Sequence, residues 1–154
     1  MKTRLIPLVV LAAVAALVLV LTSGGTGKAH KSSAAASTVN LRNTSVGRIL
    51  VDGKGRTLYL FEADKPNMSN CSAACLSLWP VLPSQGKPHA GPGVMAAKLG
   101  TTTTSGKQQV TYNGHPLYHY AGDQKAGDTT GQGLNQFGAK WYVLAATGNK
   151  IDND

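Results

Sequence analysis

Two apolar patterns run along the chain, and they predict different things. Leu5 to Leu21 is an uninterrupted apolar run with one helix breaker, Pro7, and it follows Lys2 and Arg4. A basic start before such a run is the pattern of an export signal. Its 17 residues sit at the short limit of a membrane-spanning helix. Residues 1–24 therefore read as a cleaved signal peptide or an uncleaved anchor helix. The basic N-terminal side holds that end in the cytoplasm and sends the remainder out. Residues 25–45 are rich in Ser, Ala, Gly, Thr and Lys, too polar to offset their ordering entropy, and read as a flexible tether.

From residue 46 to 154 the apolar runs become short, alternate with polar residues and are punctuated by glycine, which predicts many short strands and tight turns. The pattern occurs twice. Leu50-Val51-Asp52-Gly53-Lys54-Gly55-Arg56-Thr57-Leu58-Tyr59-Leu60-Phe61-Glu62-Ala63-Asp64 is matched by Val110-Thr111-Tyr112-Asn113-Gly114-His115-Pro116-Leu117-Tyr118-His119-Tyr120-Ala121-Gly122-Asp123. Each copy is a strand, a glycine turn and a second strand, and a tryptophan segment follows each: Trp79-Pro80-Val81-Leu82 and Trp141-Tyr142-Val143-Leu144. The repeat halves span about 46–83 and 106–145. Asn113-Gly114 is the preferred pair for a hairpin turn with positive φ. Period two places Tyr59 and Phe61 on one face, like Tyr118 and Tyr120; Leu58 and Leu60 point the other way, like Leu117 and His119. The expected fold is all-β: a small duplicated module of β-hairpins, sandwich or barrel-like, with one short helix around Cys71 to Leu78. Ser69 or Asn70 is placed to cap that helix, and Trp79 before Pro80 to end it.

Charge changes this picture little. The chain carries a formal +8, but past Ser37 there are 11 Lys and Arg against 7 Asp and Glu, a difference of +4. This charge suits anionic cell-wall polymer or lipid headgroups as neighbours, with another envelope protein as the alternative partner. No basic stripe with interleaved aromatics is present, so nucleic acid is not an expected partner.

Several residues are candidates for chemistry. Tyr59, Phe61, Tyr118 and Tyr120 either fill a core between the two β units or present an aromatic platform to a ligand. Asp64 and Asp123 directly follow the strands. They either cap their own turns or meet across a pseudo-two-fold axis as a cation or catalytic site. Cys71 and Cys75, the only cysteines, are expected to form a disulfide in an oxidising compartment. The competing reading is a copper or redox site using Cys71, Cys75 and Met68, since soft sulfur donors favour copper. His115 and His119, on one strand face about 13 Å apart, do not chelate one ion together. The Gly-rich stretch from Gly122 to Gly133 fits neither a calcium loop nor a phosphate loop and stands as a candidate ligand rim. No nucleophile–base set and no cofactor motif is visible. A wall-active hydrolase would have to use Asp64 with Asp123, or Glu62 with Asp128.

The ordered motifs Leu50-Val51-Asp52-x-x-Gly55-x-Thr57-Leu58-Tyr59-x-Phe61-x-x-Asp64, Cys71-x-x-x-Cys75-x-x-x-Trp79-Pro80, Gln109-Val110-Thr111-Tyr112-x-Gly114-x-Pro116-Leu117-Tyr118, Gly127-Asp128-x-x-Gly131-x-Gly133 and Gly138-x-x-Trp141-Tyr142-Val143 together resemble the bacterial secreted repeat of unknown function. Its members are also described as predicted lipoproteins with a Tyr-x-aromatic-x-x-Asp motif. The resemblance covers residues 46–147 and implies an extracytoplasmic, duplicated module, a cell-envelope protein without an assigned activity. It departs from the lipoprotein pattern, because Ser23, Gly24 and Gly25 follow the apolar run and the nearest cysteine is Cys71.

Overall fold

The computed structural model describes residues 36–153; the apolar export run and the first part of the tether lie outside the described residues. The strands Gly47–Asp52, Tyr59–Phe61, Lys107–Tyr112 and Ala139–Val143 each hold consecutive buried residues, so both of their faces are covered over that stretch. Thr38–Thr44 (β1) pairs antiparallel with Gly47–Asp52 (β2), and β1 also runs parallel to the two-residue strand His89–Ala90 (β4). Tyr59–Phe61 (β3) pairs with Ala139–Val143 (β9), which also carries Asn135–Gln136 (β8). Leu99–Thr104 (β5), Lys107–Tyr112 (β6) and His115–Pro116 (β7) form the remaining sheet. Among the described residues the architecture is thus three small three-stranded sheets and one short α-helix, Ala73–Leu78 (α1).

Two expectations need correction. The tether does not extend to residue 45: Thr38–Thr44 is a strand, paired residue by residue from Val39 with Asp52 to Thr44 with Gly47. Val39 is fully buried and Leu41 packs against the same core, and the Thr and Asn around them are tolerated on a partly exposed strand. The helix also starts later than expected. Its cap is Ser72, whose hydroxyl accepts the Cys75 N–H, so Cys71 lies before the helix rather than on its face.

The copies are interleaved. The tryptophan segment of the first copy docks on the second: Val110 N–H donates to Leu82 C=O, and Leu82 N–H to Leu117 C=O. The segment of the second copy docks on the first: Leu50 N–H donates to Leu144 C=O, and β9 pairs with β3. At the centre Tyr59 and Tyr118 exchange both backbone hydrogen bonds, at 2.9 and 3.0 Å. This antiparallel pair marks the pseudo-two-fold axis. Alternation then builds two cores. An aliphatic one gathers Leu50, Leu58, Leu60, Leu82, Val110, Leu117 and Leu144. An aromatic one gathers Tyr59, Phe61, Trp79, Tyr118 and Trp141 with Cys71 and Cys75.

Candidate functional site

The aromatic core is built symmetrically. Trp79 and Trp141 stack face to face with centroids 3.9 Å apart. Phe61 covers the outer side of Trp141 at 4.2 Å and Tyr120 stacks on Trp79 at 4.4 Å. Tyr59 meets Trp79 edge-on, and Tyr118 meets Trp141 likewise. Such offset and edge contacts are the favoured geometries of aromatic rings. Gln136 satisfies both indoles, its side-chain oxygen accepting from Trp79 Nε1 and its backbone carbonyl from Trp141 Nε1. Phe61, Tyr59 and Tyr118 are fully or almost fully buried. Tyr120, partly buried, reaches the wall of one pocket, and Phe61 reaches the wall of another.

The two motif aspartates follow a crossed pattern. Tyr118 of the second copy donates its hydroxyl to Asp64 of the first at 2.7 Å. Tyr59 of the first copy donates to Asp123 of the second at 2.8 Å. Each carboxylate also ties its own loop: Asp64 accepts the Asn70 N–H, and Asp123 accepts both the N–H and the hydroxyl of Thr130. Burial and the adjacent carboxylate push both tyrosine hydroxyls well above their ordinary range, so they act as donors throughout the physiological range. The Gly-rich stretch closes over this seam. Gly131 N–H donates to the Tyr59 hydroxyl, and a Cβ at Gly131 would stand 2.7 Å from the Trp79 ring.

Burial also pushes the Asp64 carboxyl up to about 6, against the opposing pull of the Asn70 N–H and the Tyr118 hydroxyl. The folded state therefore holds this proton more tightly than the unfolded chain does. Its contribution to stability is greatest at low pH and is lost as pH rises from about 4 to about 6. Asp64→Asn is expected to remove that fall while retaining an acceptor for Tyr118. Melting temperature measured from pH 4 to 7 checks it: the variant should gain on the wild type as pH rises, and parallel curves would contradict the assignment.

Cys71 and Cys75 form a disulfide with Cα atoms 5.3 Å apart. Both sulfurs are buried against the aromatic core. Their thiolates are consumed, Met68 is exposed in a turn with Lys65, and no group of three or more His, Cys, Asp or Glu is gathered among the described residues. The copper alternative is therefore not favoured. Because the closed loop is so short, replacing both cysteines by serine should cost about 2 kcal/mol, read as a lower denaturation midpoint with the fold retained.

A second cluster is one that the sequence reading missed. Asp52 is almost fully buried at the β2 turn and accepts from the Lys54 and Arg56 backbone N–H groups and from Arg56 Nε at 2.8 Å. Burial pushes its carboxyl up, but these donors outweigh it and hold the group below its ordinary value. His119, 8 % exposed, sets Nδ1 3.3 Å from Thr57 C=O and Nε2 3.5 Å from Asp52 Oδ2. Nε2 has no hydrogen-bond partner. Burial, with Arg56 nearby, lowers the affinity of this ring for a proton. The signal was available: aligned on the tyrosines, His119 stands where the other copy has Leu60, a polar residue at a core position.

The fold and this seam define a class: a duplicated β module whose halves exchange tryptophan segments and tyrosine–aspartate bonds. The sequence model of a family described as a secreted repeat of unknown function matches residues 40–82 and 100–145. The chain belongs to that family, and its two matched stretches are the two copies described above. The family's secreted character places the protein outside the cytoplasm. No curated protein and no solved structure matches the chain.

Proposed function

We propose that this protein is a cell-envelope module that binds or scaffolds rather than turns over a substrate. The crossed bonding of Asp64 and Asp123 supports this best. Both acids accept a buried tyrosine hydroxyl and the N–H of their own loop, the arrangement of a clasp between repeats rather than of an acid–base pair facing a cleft. An N-terminal segment left uncleaved would hold the module at the outer face of the cytoplasmic membrane, beside the wall.

The reading is tested with Asp64→Asn and Asp123→Asn in the full chain. Both should lower the melting temperature. Wild type and variants alike should release no soluble product from isolated cell-wall material. Release by the wild type, lost in folded variants of unchanged stability, would make the acids catalytic and overturn the proposal.

A further inference from the structure

The duplication supplies an internal comparison. Two pockets occupy equivalent places beside the central tyrosine pair, and they have diverged in charge. The pocket beside the first copy's turn, about 340 Å³, is lined by Lys54, Arg56 and Lys125 and by one carboxylate, Asp123. Three cations line it against one acid, with Asp52 and Asp128 standing behind two of them, Arg56 and Lys125. Asp123 is already engaged by Tyr59 and Thr130. The twin pocket, about 480 Å³, carries Glu62 and Asp64 against Lys150, so its balance is reversed. Aligned on Tyr59 and Tyr118, Arg56 corresponds to His115, Leu60 to His119 and Glu62 to Ala121. The twin folds with leucine where the cationic pocket has the buried, incompletely bonded His119. The fold itself therefore does not require a polar group there, and burying one without a partner carries a cost.

From this asymmetry we infer that the cationic pocket is an anion site that takes a phosphate group, of the kind repeated along polyol-phosphate polymers. Asp52 grips Arg56 through Nε and one terminal nitrogen, at 2.8 and 2.7 Å. This fixes the guanidinium plane and leaves its remaining donors for a ligand, the use to which arginine is suited. Lys125 is largely exposed, and its ammonium is 4.0 Å from Asp128. Asp128 in turn accepts the Gln124 and Lys125 backbone N–H groups, so Lys125 Nζ is only loosely held. Pro80, Tyr120 and Ala121 supply an apolar wall for the carbon part of such a unit. This assignment rests on the binding reading above and gives it a ligand class.

The test is a nuclear magnetic resonance titration of the full-length chain in neutral detergent with two probes, inorganic phosphate and a short glycerol-phosphate oligomer. Saturable shifts at Arg56, His119 and Lys125 are expected. Tighter binding of the oligomer assigns the source to polymer, and equal binding to free phosphate; either supports the site. The double variant Lys54→Gln/Lys125→Gln leaves the core untouched and should weaken binding roughly tenfold. Lys87→Gln/Lys107→Gln, the same charge change outside this pocket, should not weaken it. Equal weakening in both double variants, or shifts spread over all lysines without saturation, would overturn the site. No binding by a folded chain would refute the pocket and leave the clasp reading standing. Shortening of the oligomer during incubation would instead refute the non-catalytic reading while the pocket stands.

Discussion

Trp141→Ala is expected to unfold the protein or leave it barely folded at room temperature. Trp141 is fully buried and sits between Phe61 at 4.2 Å and Trp79 at 3.9 Å, with Tyr118 edge-on at 5.2 Å. Removing the indole empties the middle of a stack that joins the two copies. Such core truncations cost about 3–5 kcal/mol, against a total stability of about 5–15 kcal/mol for a native domain. The loss also strips the Gln136 carbonyl of its indole donor. Urea denaturation followed by near-ultraviolet circular dichroism measures it, because the stacked tryptophans dominate that signal. Phe137→Ala is the internal control: Phe137 is 46 % exposed in the β8–β9 turn and at positive φ, so its loss should change stability by less than about 0.5 kcal/mol. A Trp141→Ala cost no larger than that control would mean the stack is not what binds the halves.

Much of the fold was legible because period two is a local property. Leu58, Tyr59, Leu60 and Phe61 divide between the two cores as alternation requires. Asn113 and Gly114 adopt the positive φ their identity favours. β1 was missed because only Val39 and Leu41 stand out among Thr and Asn, so its order comes from pairing with β2 and not from its own composition. The start of α1 slipped for a similar reason. Ser69, Asn70 and Ser72 are all competent caps, and the choice is made by Asn70 bonding instead to Asp64 and Ala63. The exchange of tryptophan segments was out of reach. Both hairpins present the same kind of edge, and nothing local says which copy a following segment joins. The Asp52–Arg56–His119 cluster was in reach, since comparing the copies position by position exposes a histidine at a leucine site.

A double-mutant cycle should locate the tyrosine–aspartate bonds across the repeats and not within them. The motif spacing invites the opposite pairing, Tyr59 with Asp64 and Tyr118 with Asp123, because each pair lies in one copy. The structure crosses them. Hydrogen bonds to a charged acceptor are worth about 1.5–3 kcal/mol each, so Tyr59→Phe and Tyr118→Phe together should cost about 3–6 kcal/mol, comparable with the loss of a core tryptophan. The single variants test the wiring. Tyr59→Phe combined with Asp123→Asn should show a coupling energy of about 1 kcal/mol or more, because the first change removes the bond whose acceptor the second strips of its charge. Tyr59→Phe combined with Asp64→Asn should be nearly additive, apart from what passes through the shared Tyr59–Tyr118 backbone pair. Coupling confined to the within-copy pairs would contradict the crossed arrangement. The crossed outcome has a consequence for how the duplication persists. Each tyrosine is held by the other copy's aspartate, so neither copy can lose its motif without unpairing its twin. The other residues that line the pockets on either side bear no such constraint, which leaves them free to diverge in charge.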